Sequence, residues 1–223
     1  MTGLIGREFF DRPAEEVAPD LLGCVLEHET EEGLVALELT EVEAYAGETD
    51  PASHAYRGMT ARNAVMFGPP GYAYVYFTYG MHFCVNVVCM PAGIARAVLL
   101  RAGRVTAGEP LARRRRAQRR PAAGPARVIP ARDLARGPGR LCQALAIDRT
   151  QNGADLCSPA SELRLLPGGT SRPVGTSLPA GGKPAIESGP RVGISVAVDT
   201  PWRFWLAGDP TVSAYRPHKA RTR

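Results

Sequence analysis

The chain has 223 residues, of which 44% are hydrophobic and 22% charged, and its formal net charge is +5 at pH 7. This length suits one domain with a single large core, although two small domains remain compatible with it. The composition excludes a fibrous or wholly disordered protein. No apolar run approaches the roughly 20 residues of a membrane helix, and charges interrupt the first thirty residues. We therefore expect a cytoplasmic protein without a secretory signal.

The predicted elements alternate between short helices and strands along the chain. The pattern predicts a helix over 14–22, strands over 23–29 and 34–45, a hairpin over 72–89 and a strand over 94–102. A helix is predicted at 141–145, a long loop rich in Gly, Pro and Ser at 167–190, and strands at 191–198 and 202–207. We expect one domain over 1–215 and a basic tail over 216–223.

The cysteines and histidines argue against a metal site. The five cysteines are odd in number and include no C-x-x-C pair, which argues against both a disulfide framework and a zinc site. We expect them to be free thiols in the core. The four histidines lack the spacing that places two ligands on one helix face, so no metal is implied.

The basic residues are almost all arginines, and six of them follow Leu111. They are Arg113, Arg114, Arg115, Arg116, Arg119 and Arg120. The planar guanidinium donates in pairs to phosphate, so such a run can hold a nucleic-acid backbone. A solvated, arginine-rich helix face explains the same run, and the sequence leaves both interpretations open.

Two glutamates stand out on the predicted strand over 34–45. Strict alternation places one set of side chains on the same face: Leu37, Leu39, Glu41, Glu43 and Tyr45. A carboxylate that continues a buried face is costly unless it is paired or functional, which makes Glu43 and Glu41 candidates for an active site. Alternatively, the strand emerges into solvent beyond Leu39.

The predicted hairpin over 72–89 is rich in aromatic residues. Its tyrosines Tyr72, Tyr74 and Tyr76 share one face, opposite Val75 and Phe77. Tyr79 and Gly80 form the tip, where glycine accommodates the positive φ of a tight turn. An aromatic side chain at an exposed tip is suited to wedge between base pairs. The alternative is that the aromatic strand simply belongs to the core.

Several sequence blocks carry a resemblance to a known family. They are E-V-E-A-Y-A-G at 41–47, R-N-A-V-M-F at 62–67, Y-A-Y-V-Y-F-T-Y-G-M-H-F-C-V-N at 72–86, G-P-G-R-L-C-Q-A-L-A-I at 137–147 and W-R-F-W-L-A-G-D-P-T-V-S at 202–213. In this order they closely resemble the alkyladenine (3-methyladenine, or methylpurine) DNA glycosylase family in its bacterial form. The resemblance covers nearly the whole chain. It departs from the family pattern at 55–60 and at His82.

The resemblance implies an α+β fold: a single compact mixed domain with a curved, mainly antiparallel sheet, surrounding helices and a protruding β-hairpin. It implies that Glu43 is the general base and that Arg101 and the backbone carbonyl of Val192 help to hold the attacking water. No metal or organic cofactor is needed.

The resemblance also implies a pocket for a flipped base. Tyr45 and Tyr76 would sandwich the base, His54 would face it, and Asn86 would exclude the amino group of normal guanine. Tyr79 would be the intercalating wedge. The expected substrates are duplex DNA carrying 3-methyladenine, 7-methylguanine, hypoxanthine or ethenoadenine.

The lysine content bears on the mechanism. Glycosylases that also cut the backbone use an amine as nucleophile, and this chain has only Lys183 and Lys219, neither of which adjoins the core of the matching motifs. We therefore expect a monofunctional enzyme that leaves an intact abasic site. We also expect a monomer that acts at the bacterial nucleoid and whose product goes to a downstream abasic-site endonuclease.

Two other functions remain compatible with the residues. A non-catalytic module that senses distorted DNA would use Tyr79 and the arginine run but would not need Glu43. A hydrolase of free nucleosides would use a carboxylate and aromatic rings but no wedge, and it would lack the strong salt dependence of DNA binding.

Overall fold

The fold is organised around one long central strand, β2 (Gly33–Tyr45). A computed structural model describes residues 3–78, 80–118, 128–168 and 185–217. One edge of β2 pairs with β5 (Arg96–Ala107), which pairs in turn with the hairpin formed by β3 (Ala73–Thr78) and β4 (His82–Cys89). All of these pairings are antiparallel.

The opposite edge of β2 has two different partners. Its first half pairs with β1 (Val25–Thr30), which pairs with β6 (Leu163–Leu166). Residues 41–43 near its end pair with β8 (Arg203–Leu206), which pairs with β7 (Ile186–Gly189). The end of β2 is therefore enclosed between β5 and β8, and this is the part of the strand that carries Glu41 and Glu43.

Four α-helices are present in the described part of the chain: α1 (Arg7–Phe10), α2 (Ala14–Leu21), α3 (Glu109–Gln118) and α4 (Pro138–Leu145). Helix α2 packs against β2 and β5, and α4 packs against β4 and β5. Their buried faces meet the sheet in one apolar core. In the described ranges, no helix is long and apolar enough to span a membrane.

The structure confirms the α+β class and the aromatic hairpin. Val75 pairs with Val85 and Phe77 with Phe83, as the alternating pattern predicts. At the tip, Gly80 has a φ of 66°, which a glycine adopts without a steric penalty. Met81 beside it is 60% exposed. Tyr79 lies outside the described residues.

The predicted side-chain alternation along β2 is wrong. Leu37 and Leu39 lie in the core together with Val42 and Ala44, so the strand changes phase between positions 39 and 42. Irregular pairing with β5 at this point produces the shift, as a β-bulge does. The apolar side chains stay on the core face on both sides of the irregularity.

The predicted strand at 191–198 is also wrong. These residues form bends and turns, because Gly193 and Ala197 have φ values of 77° and 50°, which interrupt an extended backbone. The predicted loop at 167–190 contains strand β7 at Ile186–Gly189, and its residues 169–184 lie outside the described ranges.

The five cysteines are free thiols, as expected. Four of them are buried, and Cys157 is partly exposed. The domain boundary at 215 stays a prediction, since most of the expected tail, 218–223, is outside the described part of the chain.

Candidate active site

A cavity of about 1170 Å³ opens beside the end of β2. It is bounded by strands β3, β4 and β5, the start of α4 and the segment 192–196. Its lining includes the seven residues to which the family resemblance gave a role in catalysis or base recognition at the pocket: Glu43, Tyr45, His54, Tyr76, Asn86, Arg101 and Val192. Residues from widely separated parts of the chain therefore meet in one place.

Glu43 lies in the wall of this cavity with a side chain that is 0% exposed. Its Oε1 accepts a hydrogen bond from the backbone amide of Val192 at 2.7 Å. Its Oε2 accepts one from the hydroxyl of Tyr45 at 2.9 Å and lies 3.2 Å from Nη1 of Arg101. A carboxylate has about four acceptor positions, so these contacts fix its orientation and leave Oε1 able to accept a further hydrogen bond.

Val192 has a contact with Glu43 that the sequence analysis did not predict. The amide N–H of Val192, and not its carbonyl oxygen, contacts Glu43. The irregular backbone at 191–198 makes this possible, because an amide within a paired strand would donate to its neighbour strand. The expected role of the carbonyl in holding water stays a prediction.

Glu41 lies next to Glu43 in a different environment. Its fully buried carboxylate accepts hydrogen bonds from Nε of Arg101 and Nε of Arg203, both at 2.8 Å, and from the amide and hydroxyl of Ser213 at 2.7 and 2.8 Å. Burial acts to raise the pKa of Glu41, but Arg101 and Arg203 hold it below its ordinary value. Glu41 is therefore a saturated, structural carboxylate.

Arg101 connects the two carboxylates. Burial alone would lower its pKa, but Glu43 and Glu41 raise it above the ordinary value, so the guanidinium stays charged. Arg203 and Ser213, which complete this network, had no assigned role in the sequence analysis. Their block at 202–213 carried the family resemblance without indicating which side chains face β2.

An aromatic wall of His54, Tyr74 and Tyr76 forms another part of the cavity lining. The rings of His54 and Tyr76 meet edge to face with centroids 4.5 Å apart, and Tyr74 stacks on Tyr76 at 5.4 Å. The Tyr74 hydroxyl lies 3.2 Å from Nδ1 of His54. Tyr74 is therefore part of this wall. The sequence analysis placed it on the same face as Tyr76 but gave it no role in the site.

The charge states of this wall follow from its packing. Burial raises the pKa of Tyr76 and of Tyr45 well above the ordinary tyrosine value, so both hydroxyls stay protonated. His54 keeps an exposed edge, but packing of its ring lowers its pKa, and nearby Arg62 lowers it further. The wall is therefore neutral at neutral pH.

Asn86 is 5% exposed and lines the cavity from β4. Its side-chain amide donates to the backbone carbonyl of Tyr74 at 3.0 Å. This bond fixes the orientation of the amide group across the hairpin. A group held in this way has the rigidity that a steric gate needs, although the gating role itself stays a prediction.

The arginine run on α3 is largely occupied by contacts within the protein. Arg113 binds Glu109 at 2.7 Å, and Arg114 binds Glu32 at 3.0 Å. Arg115 is buried and binds Glu32 and Thr30. Because Arg115 is buried, it fits neither of the two interpretations of the run, a phosphate-binding row or a solvated helix face. Arg119 and Arg120 lie outside the described residues.

Arginines also line the cavity, and one of them, Arg116, belongs to the run on α3. The cavity lining includes Arg116, Arg136, Arg140 and Arg216. Arg140 is half-exposed at the start of α4, with Nη1 3.7 Å from Asp133. Among the described residues there is no group of three or more His, Cys, Asp or Glu side chains that could hold a metal ion.

Comparison with known proteins identifies the family. The sequence model of the methylpurine-DNA glycosylase family matches residues 8–210. The chain belongs to this family. As a methylpurine-DNA glycosylase family member it is a hydrolase that acts on N-glycosyl bonds in DNA, in agreement with the resemblance noted in its sequence.

Similar proteins from several bacteria cover almost the full length of the chain. A protein of Streptomyces avermitilis is 51% identical over 97% of this chain and 94% of its own length. One of Frankia casuarinae is 53% identical over 95% and 93%, and one of Leifsonia xyli is 52% identical over 96% and 94%. Each of the three is named "Putative 3-methyladenine DNA glycosylase".

Proposed function

We propose that the chain is a monofunctional base-excision-repair enzyme for damaged purines in double-stranded DNA. The nucleotide turns out of the duplex into the cavity, and water hydrolyses the N-glycosidic bond to leave an abasic site. The substrates are alkylated or deaminated purines of the 3-methyladenine, 7-methylguanine, hypoxanthine and ethenoadenine class. The observation that carries this proposal is the buried environment of Glu43 in the cavity wall, where its carboxylate accepts two hydrogen bonds and pairs with Arg101.

Glu43 acts as the general base. Oε1 takes a proton from water, the water oxygen bonds to C1′ of the sugar, the C1′–N bond breaks, and its electron pair leaves with the purine. A sugar that loses its base develops positive charge, which the Glu43 carboxylate stabilises in a water-poor site. Arg101 and the carbonyl of Val192 hold the attacking water.

The aromatic side chains select the base. Tyr45 and Tyr76 stack on the flipped purine and His54 faces it. An alkylated purine that carries positive charge gains about 0.5 to 2 kcal/mol of cation–π attraction over such rings. Because His54 has a lowered pKa, it adds no repelling charge at neutral pH. Damaged bases also cost less to extrude from the duplex.

Asn86 and Tyr79 complete the proposed recognition. Asn86 excludes the exocyclic amino group of guanine, and its bond to the Tyr74 carbonyl supports this by preventing the amide from turning away. Tyr79, at the hairpin tip beside Gly80, fills the space that the extruded nucleotide leaves. The exposed Met81 next to it supports a tip that faces the DNA.

The nucleophile is water and not an amine. Lys183 and Lys219 lie outside the described residues. In the described part of the chain, the cavity lining includes no lysine. Without a Schiff base the sugar–phosphate backbone stays intact. The enzyme acts as a monomer, and an abasic-site endonuclease processes its product.

The test is base release under single-turnover conditions. Duplexes containing hypoxanthine or 7-methylguanine are incubated with the protein in excess. The Glu43→Gln variant is compared with Glu38→Gln, which changes a partly exposed glutamate on the same strand that pairs with Arg104. We expect Glu43→Gln to lower the rate by about 10²- to 10⁴-fold with unchanged DNA affinity, and Glu38→Gln to stay near wild type. Full activity of Glu43→Gln would overturn the mechanism.

The same assay separates the two competing functions. A sensor of distorted DNA would bind these duplexes without releasing any base. A nucleoside hydrolase would cleave free inosine at a rate comparable to that in DNA, without the steep fall of affinity with salt that phosphate contacts cause.

A further inference from the structure

We propose that Arg191, paired with Asp50, is a positioning residue that holds both the Tyr45 ring and the backbone amide that orients Glu43. This inference rests on the proposed function of Glu43 and adds a second layer to the same site. Neither Arg191 nor Asp50 is among the residues that the family resemblance assigns to the reaction.

The ion pair between Arg191 and Asp50 is completely enclosed. The exposed fractions of the two side chains are 0% and 1%. Both terminal nitrogens of Arg191 bind the carboxylate, Nη1 to Oδ2 and Nη2 to Oδ1 at 2.9 Å. Burying two charges is costly, and apolar replacements of such pairs are often as stable. A fully buried pair beside the cavity therefore calls for a reason other than stability.

The guanidinium lies between two aromatic rings. Its Cζ is 4.7 Å from the ring centroid of Tyr45 and 5.3 Å from that of Trp202. A planar cation packs against aromatic faces in a way that the compact ammonium of lysine does not reproduce. One face of Tyr45 is thus occupied by Arg191, and the ring is held while it lines the cavity.

The backbone contacts of the pair reach Glu43 from two directions. Nη1 of Arg191 donates to the carbonyl of Ala44, the residue between Glu43 and Tyr45, at 3.0 Å. The next residue after Arg191 is Val192, whose amide binds Glu43 at 2.7 Å. The guanidinium therefore ties the end of β2 to the segment that supplies the orienting amide.

Asp50 extends this connection to the turn that follows β2. Its carboxylate accepts hydrogen bonds from the amides of Ala46 at 3.2 Å and Ala52 at 3.0 Å. This turn leads directly to His54 in the aromatic wall. One ion pair thus joins the strand of the base, the turn toward the aromatic wall and the segment at 191–192.

The expected consequence is a loss of rate without a matching loss of affinity. Duplex affinity depends mainly on phosphate contacts, which this buried pair does not make. Hydrolysis depends on the placement of Glu43, and a displacement of about 1 Å can cost about 100-fold in rate. Arg191→Met and Asp50→Asn should each slow base release by about 10- to 100-fold.

The experiment measures three quantities for each variant: the single-turnover rate on hypoxanthine DNA, the Kd for the same duplex and the melting temperature. Arg191→Lys is the decisive variant, because lysine keeps the charge opposite Asp50 but lacks the planar fork. We expect it to recover most of the melting temperature while its rate stays at least about 10-fold below wild type. Arg96→Met, which breaks the partly buried pair with Glu15, serves as the control with wild-type rate.

A purely structural role predicts the opposite pattern. If the rate of Arg191→Lys returns to the wild-type value along with its melting temperature, the inference is overturned. The double variant Arg191→Met with Asp50→Asn should be about as slow as either single variant, because each substitution breaks the same ion pair. If Arg191→Met does not fold, Arg191→Lys and Asp50→Asn still decide the question. An inactive wild-type protein would instead contradict the proposed function.

Discussion

Glu41 and Glu43 lie two positions apart on one strand and both pair with the guanidinium of Arg101. Its Nε is 2.8 Å from Oε1 of Glu41, and its Nη1 is 3.2 Å from Oε2 of Glu43. Their other partners separate their roles. Glu41 is surrounded by donors from β5, β8 and Ser213, whereas Glu43 lines the cavity and keeps an acceptor position. Two identical side chains on one strand thus lie in different environments, and we propose a chemical role for Glu43 alone.

The first prediction concerns the stability that Glu41 provides. Glu41→Gln leaves Arg101 and Arg203 without their shared carboxylate, and breaking a buried pair of this kind costs about 3–5 kcal/mol. Urea unfolding followed by circular dichroism measures this loss. Glu38→Gln, which removes the partly exposed pair with Arg104, should cost no more than about 1 kcal/mol. Equal losses in the two variants would show that the Glu41 network is not a stabilising centre.

The second prediction concerns the pH dependence of stability. The folded protein holds the pKa of Glu41 below its ordinary value, so the ionised form is favoured by folding. This stabilisation is present in full above the ordinary glutamate pKa of about 4.3 and is lost as the pH falls through the lower folded value. Melting temperatures measured downward from neutral pH should therefore fall more steeply below that point in wild type than in Glu41→Gln. Parallel curves would contradict the assignment.

The third prediction concerns Asn86 and normal guanine. In the proposed function Asn86 excludes the exocyclic amine of guanine, so in Asn86→Ala the release of guanine from undamaged duplex should rise by at least about 10-fold. Hypoxanthine lacks that amine, and its release should change much less. Chromatography of the released bases measures both rates in one reaction. Unchanged guanine release would remove Asn86 from the proposed gate.

The sequence predicted those parts of the site that depend on local pattern. The hairpin follows from alternating apolar residues and from Gly80 at its tip, and both signals lie within a few residues of each other. The irregular pairing of β2 with β5 has no local signature, because the phase of a strand is decided by which side chains its neighbours bury. For this reason the sequence analysis wrongly placed Leu37 and Leu39 on the same face of the strand as Glu43.

The contacts that complete the site join distant residues. Arg203 lies 162 positions from Glu41, and Arg191 lies 141 positions from Asp50. In a chain with so many arginines, the sequence around one arginine does not indicate which carboxylate it will bind. Arg203 becomes buried beside Glu41 only when β8 pairs with β2. The predicted strand at 191–198 failed for a different reason, because the positive φ values of Gly193 and Ala197 interrupt an extended backbone.

The last prediction concerns which arginines bind DNA phosphate. Each phosphate contact contributes about 0.9 to the slope of log affinity against log salt. Arg140 is half-exposed at the cavity, and among the described residues its ion pair is a long 3.7 Å contact with Asp133, so Arg140→Gln should reduce this slope by about one. Arg113 is held by Glu109 and by the carbonyl of Ile129, and Arg113→Gln should leave the slope unchanged. Fluorescence anisotropy with an undamaged duplex across a salt series measures both. A reduced slope for Arg113→Gln together with an unchanged one for Arg140→Gln would move the phosphate-binding surface from the cavity to helix α3.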